Sequence, residues 1–265
     1  MTESQNLPDY VLNPNAVLHD TNAAWRYGSP PNYTKTRDYY ERTKQNTHKA
    51  ASLPSLVSNL VKNWEIEASF KTSLSDWRTI NPETYTFSLN GGPAQRGEHM
   101  LRVGTYNALL TSNEYYDPAE NDFEQSHKAF KRMMPIFAWE VTDVYTGPPI
   151  VVFRWRHWGV MRGDYVGRNC TIELVGLWHG SLADQILNGT RDGQTVEIKA
   201  HGGSIEIQGI VVAKVNDKLQ LEKIDVWYDP MDIFRQIARE NAEKAGEGTD
   251  CAGAGECPVF RGAHA

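Results

Sequence analysis

The run from Ile224 to Ala238, IDVWYDPMDIFRQIA, reads as a strand that turns through Asp229-Pro230 directly into a helix. It closes a series of strand-like segments, one of which ends in His157-Trp158-Gly159. A chain that finishes by laying a strand and then a helix against earlier strands builds a curved sheet with one covered face. Such a sheet closes over a pocket, where small molecules are held or transformed.

What precedes the strands has a different period. Leu53, Leu56, Leu60, Trp64 and Ala68 recur at three or four residues, with Ser52 at the N-cap and Pro54 in the first turn, so an amphipathic helix starts there. Thr84 to Gly92, TYTFSLNGG, alternates and ends in Gly-Gly: a short strand into a turn. A second helix is expected from Glu98 to Leu110 through Met100, Leu101, Tyr106 and Leu109, and a third from Asp122 to Met134 through Phe123, His127 and Phe130. After Pro135 come FAWEVTDVYTG, PIVVFRWRHWG, TIELVGLW, TVEIKAHGGSIEIQGIVVAKV and LQLEKIDVWYD, joined by hairpin-like turns at Thr146 to Pro149 and Val215 to Lys218. Helices followed by strands predict the α+β class, with helices packed on one face of a bent antiparallel sheet. A last helix runs from Pro230 to about Lys244, capped by Asp229.

The ends read differently. Residues 1–50 are rich in Asn, Pro, Tyr and charge, and Trp25, Tyr27, Tyr33, Tyr39 and Tyr40 give them more aromatic surface than a disordered tail carries. They are expected to form an extended arm wrapping a domain over residues 51–240, and the glycine-rich residues 241–265 a flexible tail. Cys251 and Cys257 have a spacing that fits no common zinc site, and a single Cys257-Pro258 pair is weak ground for haem.

Charge and motifs narrow the chemistry. Lysine plus arginine less aspartate plus glutamate is 27 − 33 = −6 with no long basic block, which argues against nucleic acid as a partner. No window approaches the ~18 apolar residues of a membrane helix, MTESQNLPDY has no signal-peptide character, and three cysteines suit a reduced compartment, so a cytoplasmic location is expected. There is no G-x-S-x-G, no phosphate-binding glycine loop and no H-E-x-x-H. Acid/base chemistry without a cofactor, or binding without reaction, remains.

Alternation sends Phe153, Trp155 and His157 to one side of their strand and Arg154, Arg156 and Trp158 to the other. The aromatic side is expected inward, with both arginines outward. His157 then sits at the rim or floor of the pocket as a candidate general acid or base, or as a core histidine bound to a backbone carbonyl. Asp225 and Trp227 share one side of the last strand and Ile224, Val226 and Tyr228 the other. Both sides carry apolar bulk, so parity alone leaves open which faces in; with Asp225 inward, a carboxylate meets the imidazole of His157. Glu206 and Gln208 oppose Ile205 and Ile207, and one pair lines the interior. Trp64, Tyr106 and His127 fall on or beside helix stripes, as core or as pocket wall.

The stretches WRYGSPPNY, LVKNWEIEASFKTSLSDWRTINPETY, LRVGTYNALL, FEQSHKAF, FAWEVTDVYTGPP, FRWRHWG and VWYDP resemble, in the same order, the pathogen-related proteins of plants and their fungal relatives, over about residues 24–236. That family is similar in fold to the nuclear transport factor 2-like superfamily, a cone of bent sheet around helices that includes SnoaL-like polyketide cyclases, scytalone dehydratase and ketosteroid isomerase. The resemblance implies a pocket protein, often cofactor-free, with His and Asp as the working groups of its enzymes. It puts His157 and Trp158 on the family's His-Trp-Gly, His127 on its Ser-His, and Asp225 near the acidic position of the closing strand. The chain departs from it at Ser69-Phe70-Lys71-Thr72, where plant members read Ser-His-Lys-Thr, and in an apparent insertion at about residues 168–196 that includes Trp178 and His179.

The expected catalytic pair is therefore His157 and Asp225, and the expected pocket residues are Trp64, Tyr106, His127, Phe153, Trp155 and Trp227. Three readings stay open: a cofactor-independent isomerase, cyclase or dehydratase of secondary metabolism acting on a hydrophobic molecule; a stress- or defence-associated protein that binds such a ligand; and a scaffold pairing as a homodimer through the convex sheet face.

Overall fold

The computed structural model describes residues 7–173 and 190–246. Trp178, His179 and the cysteines at 251 and 257 lie outside the described residues. Six helices and eight strands are labelled in chain order: α1 (Asp9–Leu12), α2 (Thr34–Thr43), α3 (Leu53–Phe70), β1 (Thr86–Leu89), β2 (Gln95–Arg96), α4 (Gly97–Leu109), α5 (Phe123–Met133), β3 (Phe137–Val144), β4 (Ile150–Val160), β5 (Tyr165–Glu173), β6 (Thr190–Ile198), β7 (Ser204–Val215), β8 (Leu221–Tyr228) and α6 (Met231–Gly246).

The class is α+β, as the change of period predicts. The main sheet has the order β2-β1-β8-β7-β4-β3. Its neighbours are antiparallel except β1 and β8, which run parallel from Thr86↔Lys223 to Leu89↔Val226. Register shifts in β3 between Val141 and Asp143 and in β7 between Lys214 and Val215 bend the sheet, because an irregular ladder adds local twist. Helix α3 packs across the concave side, and α4 and α5 continue the inner layer. The segment read as one strand from Thr195 to Val215 breaks at Lys199–Gly203, where Gly202 takes a φ of +77°; β6 instead pairs with β5 as a separate ribbon. The apparent insertion falls on this ribbon. The ribbon is held to the inner layer by Tyr165, whose ring meets Phe130 and Phe234 and whose hydroxyl donates to the Tyr115 carbonyl.

Local chemistry sets the helix ends. Asp122 and Gln125 form a reciprocal capping box at the start of α5. Ser52 holds the N-cap position of α3 without a side-chain bond, and Pro54 sits in the first turn. The stretch expected as one helix from Glu98 is kinked at Gly104, with φ +88°. A Cβ there would lie 2.8 Å from the ring of Phe123, so both backbone and packing require glycine.

Residues 7–50 hold helices as well as extended chain, and they lie against two faces of the domain. Asn63 of α3 donates to the carbonyls of Tyr10, Asn13 and Asn59 and accepts from the Val17 amide. Glu67, fully buried, accepts from the amides of Arg78 and Thr79 and from Lys71, whose ammonium also reaches Asp20. Further along, the chain crosses the outer face of β3 and β4. The amides of Gln45 and Asn46 donate to Glu140, His48 meets the Val141 carbonyl, and Trp158 donates to Thr43 Oγ1.

This corrects the expectation for Arg156. The guanidinium is not outward in water. It is buried between Glu140 at 2.7 Å and Glu206 at 2.9 Å, donates to the Thr43 carbonyl and lies 3.7 Å over the ring of Trp158. Arg154, two residues back, is exposed and donates to Gln208. The difference lies in the arm, which covers one arginine and stops short of the other.

Candidate functional site

The concave side of the sheet and the helices across it enclose a cavity of about 200 Å³. A dry apolar cavity of about 150 Å³ takes up benzene, so this one has room for a molecule of one or two rings. Strand parity builds the wall. Phe137 and Trp139 of β3, Phe153 and Trp155 of β4, Ile207 and Val211 of β7, and Ile224 and Val226 of β8 all point inward. Of the two pairs left open in β7, the isoleucines line the interior. Helix α3 contributes Leu60 and Trp64, and α4 contributes Tyr106 and Leu109. Gly209 lets the wall close: a Cβ there would lie 2.6 Å from the Trp155 indole.

Several aromatic groups in the wall are already spoken for. Trp64 donates its indole N–H to the Tyr85 hydroxyl at 3.0 Å, the Tyr228 hydroxyl donates to the Leu109 carbonyl, and Tyr106 stacks on Phe130 at 4.3 Å. These rings act as apolar surface.

Polar residues line the cavity from four elements: Glu65 and Ser69 of α3, Thr105 of α4, His127 and Lys131 of α5, and His157 of β4. His157 stacks on Phe137 with centroids 3.4 Å apart, and its Nε2 lies 3.3 Å from the Phe137 carbonyl oxygen. A carbonyl only accepts, so Nε2 carries the proton and Nδ1 keeps its lone pair. Burial pushes this imidazole down, the Lys131 cation pushes it further and the Phe137 carbonyl opposes both; the result is about 3. His127 is ringed by Tyr27, Phe70, Tyr106 and Phe123. Burial, then Lys131 and Arg26, push it down to about 4. Both imidazoles are neutral at pH 7. Glu65 accepts a hydrogen bond from the Tyr33 hydroxyl at 3.2 Å, which ties this end of the cavity to the N-terminal segment.

The structure separates the expected catalytic pair. His157 lines the cavity, but Asp225 lies on the opposite face of β8, where it accepts from Ser88 Oγ at 2.6 Å and pairs with Lys223 at 2.7 Å. Partial burial raises its carboxyl, but the bonds from Lys223 and Ser88 outweigh this and hold it below the ordinary carboxylate value. Trp227 shares that outer face, 48% exposed, with its ring over Gly91. Parallel pairing with β1 settles the parity, since it sets Ser88 beside Asp225. Trp64, Tyr106, His127, Phe153 and Trp155 are all in the wall.

Glu65 and Lys131 are missing from the expected pocket residues because charged residues beside a helix stripe usually face water, and Ser69 enters the sequence reading only within the Ser69-Phe70-Lys71-Thr72 departure. A signal was present. Ser69 follows Glu65 by four residues and Lys131 follows His127 by four, so each pair shares a helix face with residues read as pocket wall. Among the described residues, no group of three or more His, Cys, Asp or Glu is placed to hold a metal ion. No helix among them is long and apolar enough to cross a membrane.

Fold and site together define an α+β pocket protein: a bent sheet around helices, with an aromatic-walled cavity and a few polar groups from α3, α5 and β4. The chain is similar to the pathogen-related protein of Hordeum vulgare, 28% identical over 247 residues that cover 90% of this chain and 89% of the barley protein. No family model matches the chain. Among solved structures it is similar to a candidate SnoaL-like polyketide cyclase from Jannaschia sp. (12% identity, 72% of this chain and 98% of the other, TM-score 0.34). A second is a protein with a ketosteroid isomerase-like fold from Catenulispora acidiphila (8% identity, 68% and 92%, TM-score 0.33).

Proposed function

We propose that the protein holds a small hydrophobic molecule of one or two rings in the cavity between α3, α5 and the sheet. The observation that carries this reading is the cavity's wall: aliphatic and aromatic side chains throughout, with the few polar groups contributed by α3, α4, α5 and β4. Burying apolar ligand surface there contributes roughly 25 cal/mol per Å² removed from water.

Trp64, Trp139 and Trp155 all line the cavity, so occupancy alters the intrinsic indole fluorescence. Titration with naphthalene-sized compounds is expected to show saturable quenching, and native mass spectrometry of the purified chain a co-purified ligand. Ala213→Trp, which fills the cavity from β7, should abolish both signals. Unchanged titration curves in a folded Ala213→Trp variant would remove the cavity from the binding event.

A second reading, cofactor-independent proton transfer on the bound molecule, rests on a separate observation: the imidazole of His157 and the ends of Glu65 and Lys131 line the same cavity. In that case polyketide or terpenoid intermediates are turned over, and His157→Gln lowers kcat by the ~100-fold or more expected of a lost acid/base group. Ligand binding without turnover of any such compound leaves the holding role alone.

A further inference from the structure

Lys131 is the cation of the cavity wall. Among the described residues it forms no ion pair and no hydrogen bond, although its helix positions it half-buried on the cavity wall one turn beyond His127. The other charged residue of the wall, Glu65 on α3, accepts from the Tyr33 hydroxyl. A lysine on a mainly apolar wall with no carboxylate partner favours an anion brought to it.

We infer that the molecule held in the cavity is an organic acid, its ring or chain against the aromatic wall and its carboxylate on Lys131. This rests on the ligand-holding reading above and adds the chemical class of the ligand.

Two further observations agree. Lys131 lowers both His127 and His157, so its cation acts on the end of the cavity where the two imidazoles lie. With both imidazoles neutral, the ammonium is also the one charged donor they leave for a ligand anion, while an uncharged imidazole neighbour avoids crowding cations at the site. An apolar acid meets both demands of the cavity, burying hydrocarbon and neutralising the ammonium; a neutral hydrocarbon meets one.

The test is a matched pair of probes on the full chain, 2-naphthoate and 2-naphthamide, with benzoate and benzamide as a smaller pair, titrated by calorimetry at pH 7.5. The acid is expected to bind at least about tenfold more tightly than its amide, the effect of one charge-assisted hydrogen bond. That preference should shrink as salt rises. It should survive in Lys131→Arg and fall to near one in Lys131→Met. Equal affinity for acid and amide in the unaltered chain overturns the inference while leaving the cavity as a hydrophobic site. So does an undiminished acid preference in Lys131→Met. Because the salt series uses the unaltered chain, a Lys131→Met variant that fails to fold does not spare the inference: a preference insensitive to salt also overturns it. Failure of all four probes to bind at millimolar concentration removes the ligand-holding reading and this inference with it.

Discussion

Replacing Arg156 by leucine tests how the N-terminal segment is fastened to the sheet. The guanidinium side chain is 5% exposed and the carboxylate of Glu140 fully buried, so this pair is screened far less than a surface pair. In Arg156→Leu, Glu140 loses its cation, Glu206 loses a second contact and the Thr43 carbonyl loses a donor at 2.8 Å. Leaving one partner of a buried pair alone costs about 3–5 kcal/mol. For a domain of this size each kcal/mol moves Tm by about 2–4 °C, so a drop of about 6–20 °C is expected. The Gln45 and Asn46 amides still donate to Glu140, which keeps the loss near the lower end. Glu140→Leu should destabilise comparably because it orphans those two amides as well as Arg156. The double variant should recover part of the sum, which a double-mutant cycle measures as coupling. Calorimetry reads Tm, and trypsin reads release of the strap through faster cleavage at Arg42, Lys44 and Lys49. Arg154→Leu, exposed on the same face, is the control and should fall within ~0.5 kcal/mol of the parent. An Arg156→Leu variant as stable and as protease-resistant as that control would refute the claim that this cluster holds the segment.

Four further outcomes are expected. His127 and His157 have folded values of about 4 and about 3, below the ordinary 6.5, so the unfolded chain binds protons that the folded chain refuses. Their contribution is fully present above pH 6.5 and declines as pH falls towards 4, by up to about 2.7 kcal/mol per pH unit for two protons; urea titrations at pH 7 and 5 showing equal stability would contradict it. Gly104→Ala should cost upward of ~1 kcal/mol, from the positive φ and the 2.8 Å approach to Phe123, and chemical denaturation will show it. Asp225→Asn should leave ligand affinity unchanged and stability within about 1 kcal/mol, since its partners Lys223 and Ser88 lie on the outer face. Because residues 43–48 already cover part of the convex face, sedimentation velocity at micromolar concentration should give a particle of 29.9 kDa rather than a pair.

Much of the fold could be read from local pattern. The spacing of Leu53 to Ala68 and the Asp122/Gln125 pair are signals within one element, and α3 and α5 form where those signals stand. The inward side of β4 was equally legible, because its aromatic face differs sharply from its arginine face. β8 offered no such contrast: Ile224, Val226 and Tyr228 compete with an Asp225/Trp227 face that also holds an indole. The contest is decided by β1, whose Ser88 comes from 137 residues earlier and takes the carboxylate outward. Alternation also could not show that Arg156 is buried, since nothing in β4 marks where a distant segment will lie. The kink at Gly104 was not legible within its own helix, because its clash partner, Phe123, belongs to another.

The strap over the outer face has a consequence for the order in which the molecule is assembled. Thr43 is synthesised 113 residues before Arg156, the residue that binds its carbonyl. At about 5–20 residues per second, the ribosome needs about 6–23 s to supply that partner. Through that interval Tyr39 and Tyr40 have no Trp158 to lie on, so this segment docks only after the strand that follows it by more than a hundred residues, and any chaperone that attends this protein meets those two rings without the sheet.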